Sequence, residues 1–307
     1  MTERTAITPA ESAELFPALV NPGAGTAEHA VAALREGGRC RIVEIDPAKL
    51  ADAVRAEIDS GATRVIVAGG DGTIRAAAAV VAGTPVELGI IPAGTLNHFA
   101  KFVGLPEDQV EAARIATGDS VTTVDVGWVN DQIMINTSSV GAYVVFVRKR
   151  ESYERRFGYR LASLFAAVRV LADLRTFRVV IQVGGVRRVY HTPLVFIGVG
   201  EREARIPTVG ERVPDGKRGL HVMIVRTRDR FRLILTSVIA ALRGLEAVDE
   251  TPHGIDNFVV DSCRIELRRP RGNVAIDGEL VTMIAPLEYR IERDSLRVAS
   301  AGAEERV

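Results

Sequence analysis

The sequence predicts a parallel α/β domain followed by an antiparallel β-sandwich. Three observations carry this. Up to about residue 120, strand-like apolar runs alternate with helix-like segments. Glycine-rich turns close three of those runs. Beyond Val121 the apolar runs shorten and are separated by turns. A length of 307 residues fits two domains.

The elements follow in order. Leu15 to Val20 is a short apolar strand ending in Asn21-Pro22-Gly23-Ala24-Gly25. Thr26 to Leu34 reads as a helix, with Thr26 as N-cap and Gly37-Gly38 as stop. Arg41 to Ile45 is a second strand and Pro47 to Ser60 a second helix. Arg64 to Ala68 is a third strand, followed at once by Gly69-Gly70-Asp71-Gly72-Thr73. Ile74 to Val81 is helical, and Glu87 to Ile91 is a fourth strand. In such a sheet ligands bind beyond the carboxyl ends of the strands, where the glycine-rich segments fall. In the second half the short apolar runs are Ile133–Asn136, Phe177–Val183, Leu194–Val199, Leu220–Val225, Asn257–Val260, Cys263–Leu267 and Val274–Ile276. Two helices interrupt them. One carries Leu161, Leu164, Phe165, Val168 and Leu171 on one face, and the other runs from Phe231 to Leu242.

Composition narrows the function classes. Lys+Arg and Asp+Glu are both 39, so the chain is neutral and nucleic acid gains no support as a partner. No apolar run reaches the roughly 18 residues that span a bilayer, and the first residues do not read as a secretory signal. Cys40 and Cys263 lie far apart, which suggests a reducing, cytoplasmic setting without a disulfide framework. The first 120 residues carry a net −6 and the rest +6, which by itself reads as ordinary variation between two domains, a basic second half facing an anionic partner being the alternative.

The most specific signal is Gly69-Gly70-Asp71-Gly72-Thr73 between a strand and a helix. Glycines let backbone N–H groups approach a phosphate, and a helix N-terminus favours anions. Thr73 is a candidate cap for that helix. Asp71 would then be a carboxylate beside a polyphosphate, which suits a bridging cation or a moving proton. Asn21-Pro22-Gly23-Ala24-Gly25 and Pro92-Ala93-Gly94-Thr95-Leu96-Asn97 occupy equivalent positions, with Thr95 and Asn97 offering a hydroxyl and an amide. Near the C-terminus, Asp277 and Glu279 stand at i and i+2 after a strand; extended geometry places them on one face with a bend at Gly278, and an Asp-Gly hairpin turn with exposed acids is the alternative. Phosphoryl transfer to an alcohol needs a carboxylate to take the hydroxyl proton and others to hold Mg²⁺. Gly210 to Lys217 fails as a Walker loop, and the five histidines lack metal spacing.

Together these residues resemble the diacylglycerol kinase catalytic family, which includes sphingosine kinases and bacterial soluble lipid kinases. The resemblance rests on NPGAG at Asn21, GGDGT at Gly69, IPAGTLNHFAKFVGLP from Ile91, VDVG at Val124 and DGE at Asp277. It implies a Rossmann-like nucleotide domain over 14–125 with a returning segment 286–299, a β-sandwich lipid domain over 126–285, and an active site in the cleft between them. It implies ATP binding by Asn21, Pro22, Gly23, Gly25, Thr26, Gly69, Gly70, Asp71, Gly72, Thr73, Thr95 and Asn97. Glu279 would be the general base, with Asp71, Asp125 and Asp277 in the Mg²⁺ network. The expected activity is ATP-dependent phosphorylation of diacylglycerol or a related lipid, as in phospholipid biosynthesis. A kinase of a soluble alcohol, NAD-kinase-like, and a non-catalytic nucleotide or lipid sensor are the alternatives.

Two departures stand out. Family members often carry Asp where this chain has His98. Many bacterial relatives carry Asp-Asp-Gly, contributing to a structural Mg²⁺ site, where alignment on Gly219-Leu220 puts Lys217-Arg218. The expectation is that this metal is absent or displaced, with Arg218 in its place, while Asp215 lies out of register. The segment from Arg148 to Arg160 carries six basic residues and is expected to face an anionic membrane surface, making the protein peripheral at the inner face. Oligomeric state, a homodimer included, stays open.

Overall fold

The computed structural model describes residues 15–149, 175–203, 212–213, 215–225 and 255–301, with positions 152, 153, 165 and 169. The chain divides into two compact units. One runs to Thr122 and resumes at Arg297; the other spans Thr123–Leu296.

The first unit is built on parallel strands β1 (Phe16–Val20), β2 (Cys40–Glu44), β3 (Arg64–Gly69) and β4 (Glu87–Pro92), in the order β2-β1-β3-β4. Arg297 and Val298, near the end of the last strand, lie parallel beside β4. Val65, Ile66, Val67 and Ala68 of β3 are fully buried, the mark of a central parallel strand covered on both faces. Helix α1 (Ala27–Gly37) packs on α5 (Gln109–Ala116), and α2 (Leu50–Asp59) packs on α3 (Asp71–Val81). Small residues let α1 and α5 approach the sheet and each other: Ala30, Ala33, Ala112, Ala113 and Ala116 share one core with Ala18, Ile66 and Ile91. Because β1 lies between β2 and β3, the strand order reverses there. That reversal opens a crevice at the carboxyl ends of β1 and β3.

The second unit is antiparallel. One sheet contains β13 (Ser262–Leu267), β8 (Phe177–Val183), β9 (Val186–Thr192), the first part of β16 (Leu287–Ala299), β5 (Val121–Val129) and β6 (Gln132–Met134). The other runs β12 (Ile255–Val260), β11 (Leu220–Val225), β10 (Leu194–Val199), β7 (Thr137–Gly141), β14 (Arg271–Ile276), β15 (Glu279–Ile284). Val179, Ile181, Val195, Ile197, Val222, Ile265 and Tyr289 form the core between them. Each such side chain adds about 1.5–3 kcal/mol on burial. The Tyr289 hydroxyl lies 3.1 Å from Ser138 Oγ, and burial pushes its phenol pKa up.

Mixed α/β followed by antiparallel β is the fold class read from the sequence. Several elements were not legible there. Helix α4 (His98–Phe102) and α5 were passed over, as were β5, β7, β9, β15 and the 13-residue β16. The expected helix from Ile74 begins three residues earlier, at Asp71. The helix expected over Phe231–Leu242, that over Leu161–Leu171 apart from Phe165 and Arg169, which are helical, and most of the basic segment from Arg148 to Arg160 lie outside the described residues. Among the described residues no helix is long and apolar enough to cross a membrane.

Candidate active site

Three loops close β1, β3 and β4, and side chains join them. In the first, Asn21 Oδ1 accepts the Gly23 N–H at 2.9 Å, folding the turn on itself. Its Nδ2 donates to Thr73 Oγ1 in the second loop at 3.2 Å, across the strand-order reversal. Thr73 is buried and sits in the first turn of α3 rather than ahead of it, so it does not cap that helix as expected. Gly70 holds the cap position and offers no side-chain bond. The first-turn N–H groups of α3 therefore carry the helix's partial positive charge without a side-chain acceptor, which suits a phosphate.

Asp71 ties the second loop to the third. Its Oδ2 accepts the His98 N–H at 3.1 Å and its Oδ1 accepts the Phe99 N–H at 3.0 Å. Asn97, at the cap position of α4, has φ +51° and makes no cap bond. Its amide instead closes on Gly94, accepting from Gly94 N at 3.0 Å and donating to Gly94 O at 2.9 Å. Asp71 thus supplies from another loop the cap that Asn97 does not. The two loops touch through backbone: a Cβ on Gly94 would lie 2.5 Å from Gly70 Cα. Of the expected nucleotide contacts, Pro22, Gly23, Gly25, Thr26 and Thr95 are exposed, while Asn97 is spent on its own turn.

Gln109 joins the set and was missed. Its Nε2 donates to Thr26 Oγ1 and to Pro92 O, each at 2.7 Å, fastening the first loop to the end of β4. Thr26 occupies the position before α1 but makes no cap bond; its hydroxyl is turned to Gln109. The signal available in the sequence was only Asp108 starting a helix, where its side chain accepts the Glu111 N–H at 2.9 Å.

In the second unit Asp277 and Gly278 form the two-residue turn between β14 and β15, with φ +48° and +87°. That is the Asp-Gly hairpin turn, and it replaces the reading of Asp277 and Glu279 on one face of an extended strand. The Asp277 carboxylate turns inward: Oδ2 accepts Ile135 N–H at 2.9 Å, and Oδ1 accepts Asn136 and Thr137 N–H at 2.8 and 2.7 Å. Glu279, across the turn, is exposed at the first position of β15.

Asp125 is likewise engaged. Its Oδ2 accepts Arg218 Nε at 2.9 Å, and its Oδ1 accepts a second Arg218 nitrogen and, at 3.0 Å, the Asp294 N–H. Burial alone would raise its pKa; the Arg218 and Asp294 hydrogen bonds and the Arg218 charge outweigh that and hold it below the usual carboxylate range. Mg²⁺ wants free carboxylate oxygens in octahedral array. Asp71, with one acceptor bond per oxygen, keeps a lone pair on each and fits a metal-bound water. Asp125 and Asp277 fit less well: each already accepts three hydrogen bonds from guanidinium or amide hydrogens, two of them on its Oδ1. Among the described residues no group of three His, Cys, Asp or Glu is placed to hold a metal. Burial raises both thiols, Cys263 to about 12, which leaves them poor nucleophiles.

Comparison with known proteins fits this geometry. Residues 18–129, which hold all three loops, match the family model of the diacylglycerol kinase catalytic domain. A Staphylococcus carnosus protein, named only as a candidate lipid kinase, is 24% identical over 76% of this chain and 75% of its own. A diacylglycerol kinase of Mycobacterium tuberculosis is 40% identical over 124 residues, 37% of this chain and 40% of its own, so that match spans about two-fifths of the relative. A crystal structure from Bacillus anthracis, titled as a candidate diacylglycerol kinase, superposes with a TM-score of 0.71 at 23% identity, covering 94% of this chain and 98% of its own. That likeness shows the fold. The likeness to the diacylglycerol kinase catalytic domain is carried by residues 18–129.

Proposed function

We propose that the protein is an ATP-dependent lipid kinase that transfers the γ-phosphoryl group to a hydroxyl of diacylglycerol or a related lipid. The observation that carries this is the joining of three phosphate-type loops at the strand-order reversal, through Asn21–Thr73 and Asp71–His98/Phe99. The names carried by the lipid and diacylglycerol kinases it resembles support the acceptor class.

The polyphosphate rests on the first-turn N–H groups of α3, with Thr95 and the turn at Asn21 beside it. A Mg²⁺ ion bound with the nucleotide would supply neutralisation of phosphate charge, and Asp71 is the carboxylate that would help hold it. Glu279 takes the proton of the lipid hydroxyl. The alkoxide oxygen bonds to the γ-phosphorus as the bond to the bridging β–γ oxygen breaks, and ADP leaves with that electron pair.

The test is transfer of label from γ-labelled ATP into a total lipid extract, with the product identified. Soluble alcohols, including NAD, form a parallel arm. Glu279→Gln is expected to abolish transfer while nucleotide binding persists. Turnover in that variant removes Glu279 from the mechanism. Label appearing only in soluble alcohols removes the lipid reading.

A further inference from the structure

We infer that Arg218 is a built-in cation of the second unit, taking at Asp125 and Asp294 the place of a resident divalent ion and fastening the two strands by which the chain enters and leaves that unit. The inference does not depend on the kinase reading. Resemblance placed Asp125 and Asp277 in a magnesium network; their surroundings here are those of carboxylates already neutralised.

The geometry is reciprocal. Arg218 lies one residue before Gly219-Leu220, where β11 begins in one sheet of the sandwich. It reaches Asp125 of β5 through Nε and a terminal nitrogen, and that same nitrogen lies 2.9 Å from Asp294 Oδ1 of β16, in the other sheet. Asp294 returns two contacts to β5: its N–H donates to Asp125 at 3.0 Å, and its Oδ1 accepts the Thr123 hydroxyl at 3.2 Å. Thr123 is the first residue of the unit, and Asp294 lies two residues before its last, Leu296. One guanidinium therefore holds both chain crossings and ties them to the opposite sheet. A planar fork that bonds two carboxylates does what a bridging divalent ion does, with its charge fixed at every physiological pH.

The neighbourhood also disfavours a metal ion. Arg202 is buried, donating to Asn136 O at 2.7 Å and Val199 O at 3.0 Å. Arg202 and Arg212 both feel the charge of Asp277, and Arg212 that of Asp125 as well. Burial before all else depresses these two guanidinium groups, to about 10 and about 9, and both remain cationic at neutral pH. A divalent ion at Asp125 or Asp277 would enter a field already carrying three guanidinium charges.

The test uses the full chain without nucleotide. Urea unfolding is expected to give the same midpoint in EDTA and in millimolar MgCl₂, and titration with Mn²⁺ as the probe should find no ion held at Asp125. A bound Mn²⁺ lost in Asp125→Asn, or a midpoint lowered by EDTA, overturns the inference. Arg218→Ala and Asp294→Ala should each lower the folding equilibrium constant. Their double variant should fall short of the product of the two effects by about fivefold, a size suited to a half-exposed charged pair. Effects that simply multiply overturn the fastening role. Should Arg218→Ala fail to fold, Arg218→Lys replaces it in the cycle, keeping charge but losing the fork. It should then recover less than half of the coupling, and full coupling with Lys overturns the role of the fork.

Discussion

The Asp71 carboxylate stands 3.0 Å from the Phe99 N–H and 3.1 Å from that of His98, so the second loop caps the helix that begins in the third. The residue most exposed to the demands of chemistry is thereby also a structural joint. Asp71→Ala should cost about 1–2 kcal/mol of stability, the range for a lost helix cap, and should abolish transfer. Asp71→Asn keeps the shape but loses the charge. It should melt between the two while remaining inactive. Thermal unfolding followed beside the labelled-ATP assay separates the roles.

Thr73→Val removes the acceptor of Asn21 Nδ2 and keeps the volume. A part-buried amide left without its partner costs about 1 kcal/mol. The first loop would lose its tie to α3, so nucleotide affinity should fall several-fold. Calorimetric titration with ADP reads this directly, and unchanged affinity would show that the first loop is held by other means.

Gly94→Ala would drive a methyl to 2.5 Å from Gly70 Cα, and neither backbone can turn aside as a side chain would. The variant should lose about 1–3 kcal/mol, as overpacked sites do. It should bind nucleotide poorly even where it folds. Gly83→Ala offers a control, because a Cβ there meets open space although φ is +77°. Its cost should be confined to backbone strain and should leave ADP binding unchanged.

Glu87 makes the stability of the first unit sensitive to acid. Burial by itself would raise its pKa. Hydrogen bonds from Arg297 and Arg64, with the charges behind them, overcome that and lower it. Arg64 approaches at 2.6 Å and is itself buried, also donating to Ala116 O and Gly118 O. A depressed carboxyl adds stability that is fully present above its unfolded value near 4.3. That contribution is lost as pH falls through the folded value. Glu87→Gln should therefore unfold more easily than the wild type at pH 6 and approach it below pH 4. Urea midpoints across that range check the sign.

The strands of the first unit were legible because parallel strands buried on both faces spell continuous apolar runs, as in Arg64–Gly69. The loops were legible because glycine and threonine stand where phosphate chemistry wants them. The local partners were not. Thr26 and Thr73 have the composition of caps, yet Gln109 and Asn21, 83 and 52 residues away, claim their hydroxyls. Strand β9, VRRVYHT, hid because four of its seven positions in a row face solvent, so no alternation shows. Asp277-Gly278 spells both a bent strand and a hairpin turn, and only the two positive φ values decide for the turn. Long-range acceptors and left-handed residues are fixed by tertiary structure, and spacing does not record them.

The last strand has a consequence for the order in which the molecule can be made. Val298 pairs with Leu88, so the first unit finishes with residues that leave the ribosome after the whole of the second. Until then β4 presents an open row of amide and carbonyl groups, a template for mispairing between nascent chains. An expressed fragment ending near Thr122 would keep that defect permanently and should aggregate, even though it holds every loop of the proposed nucleotide site.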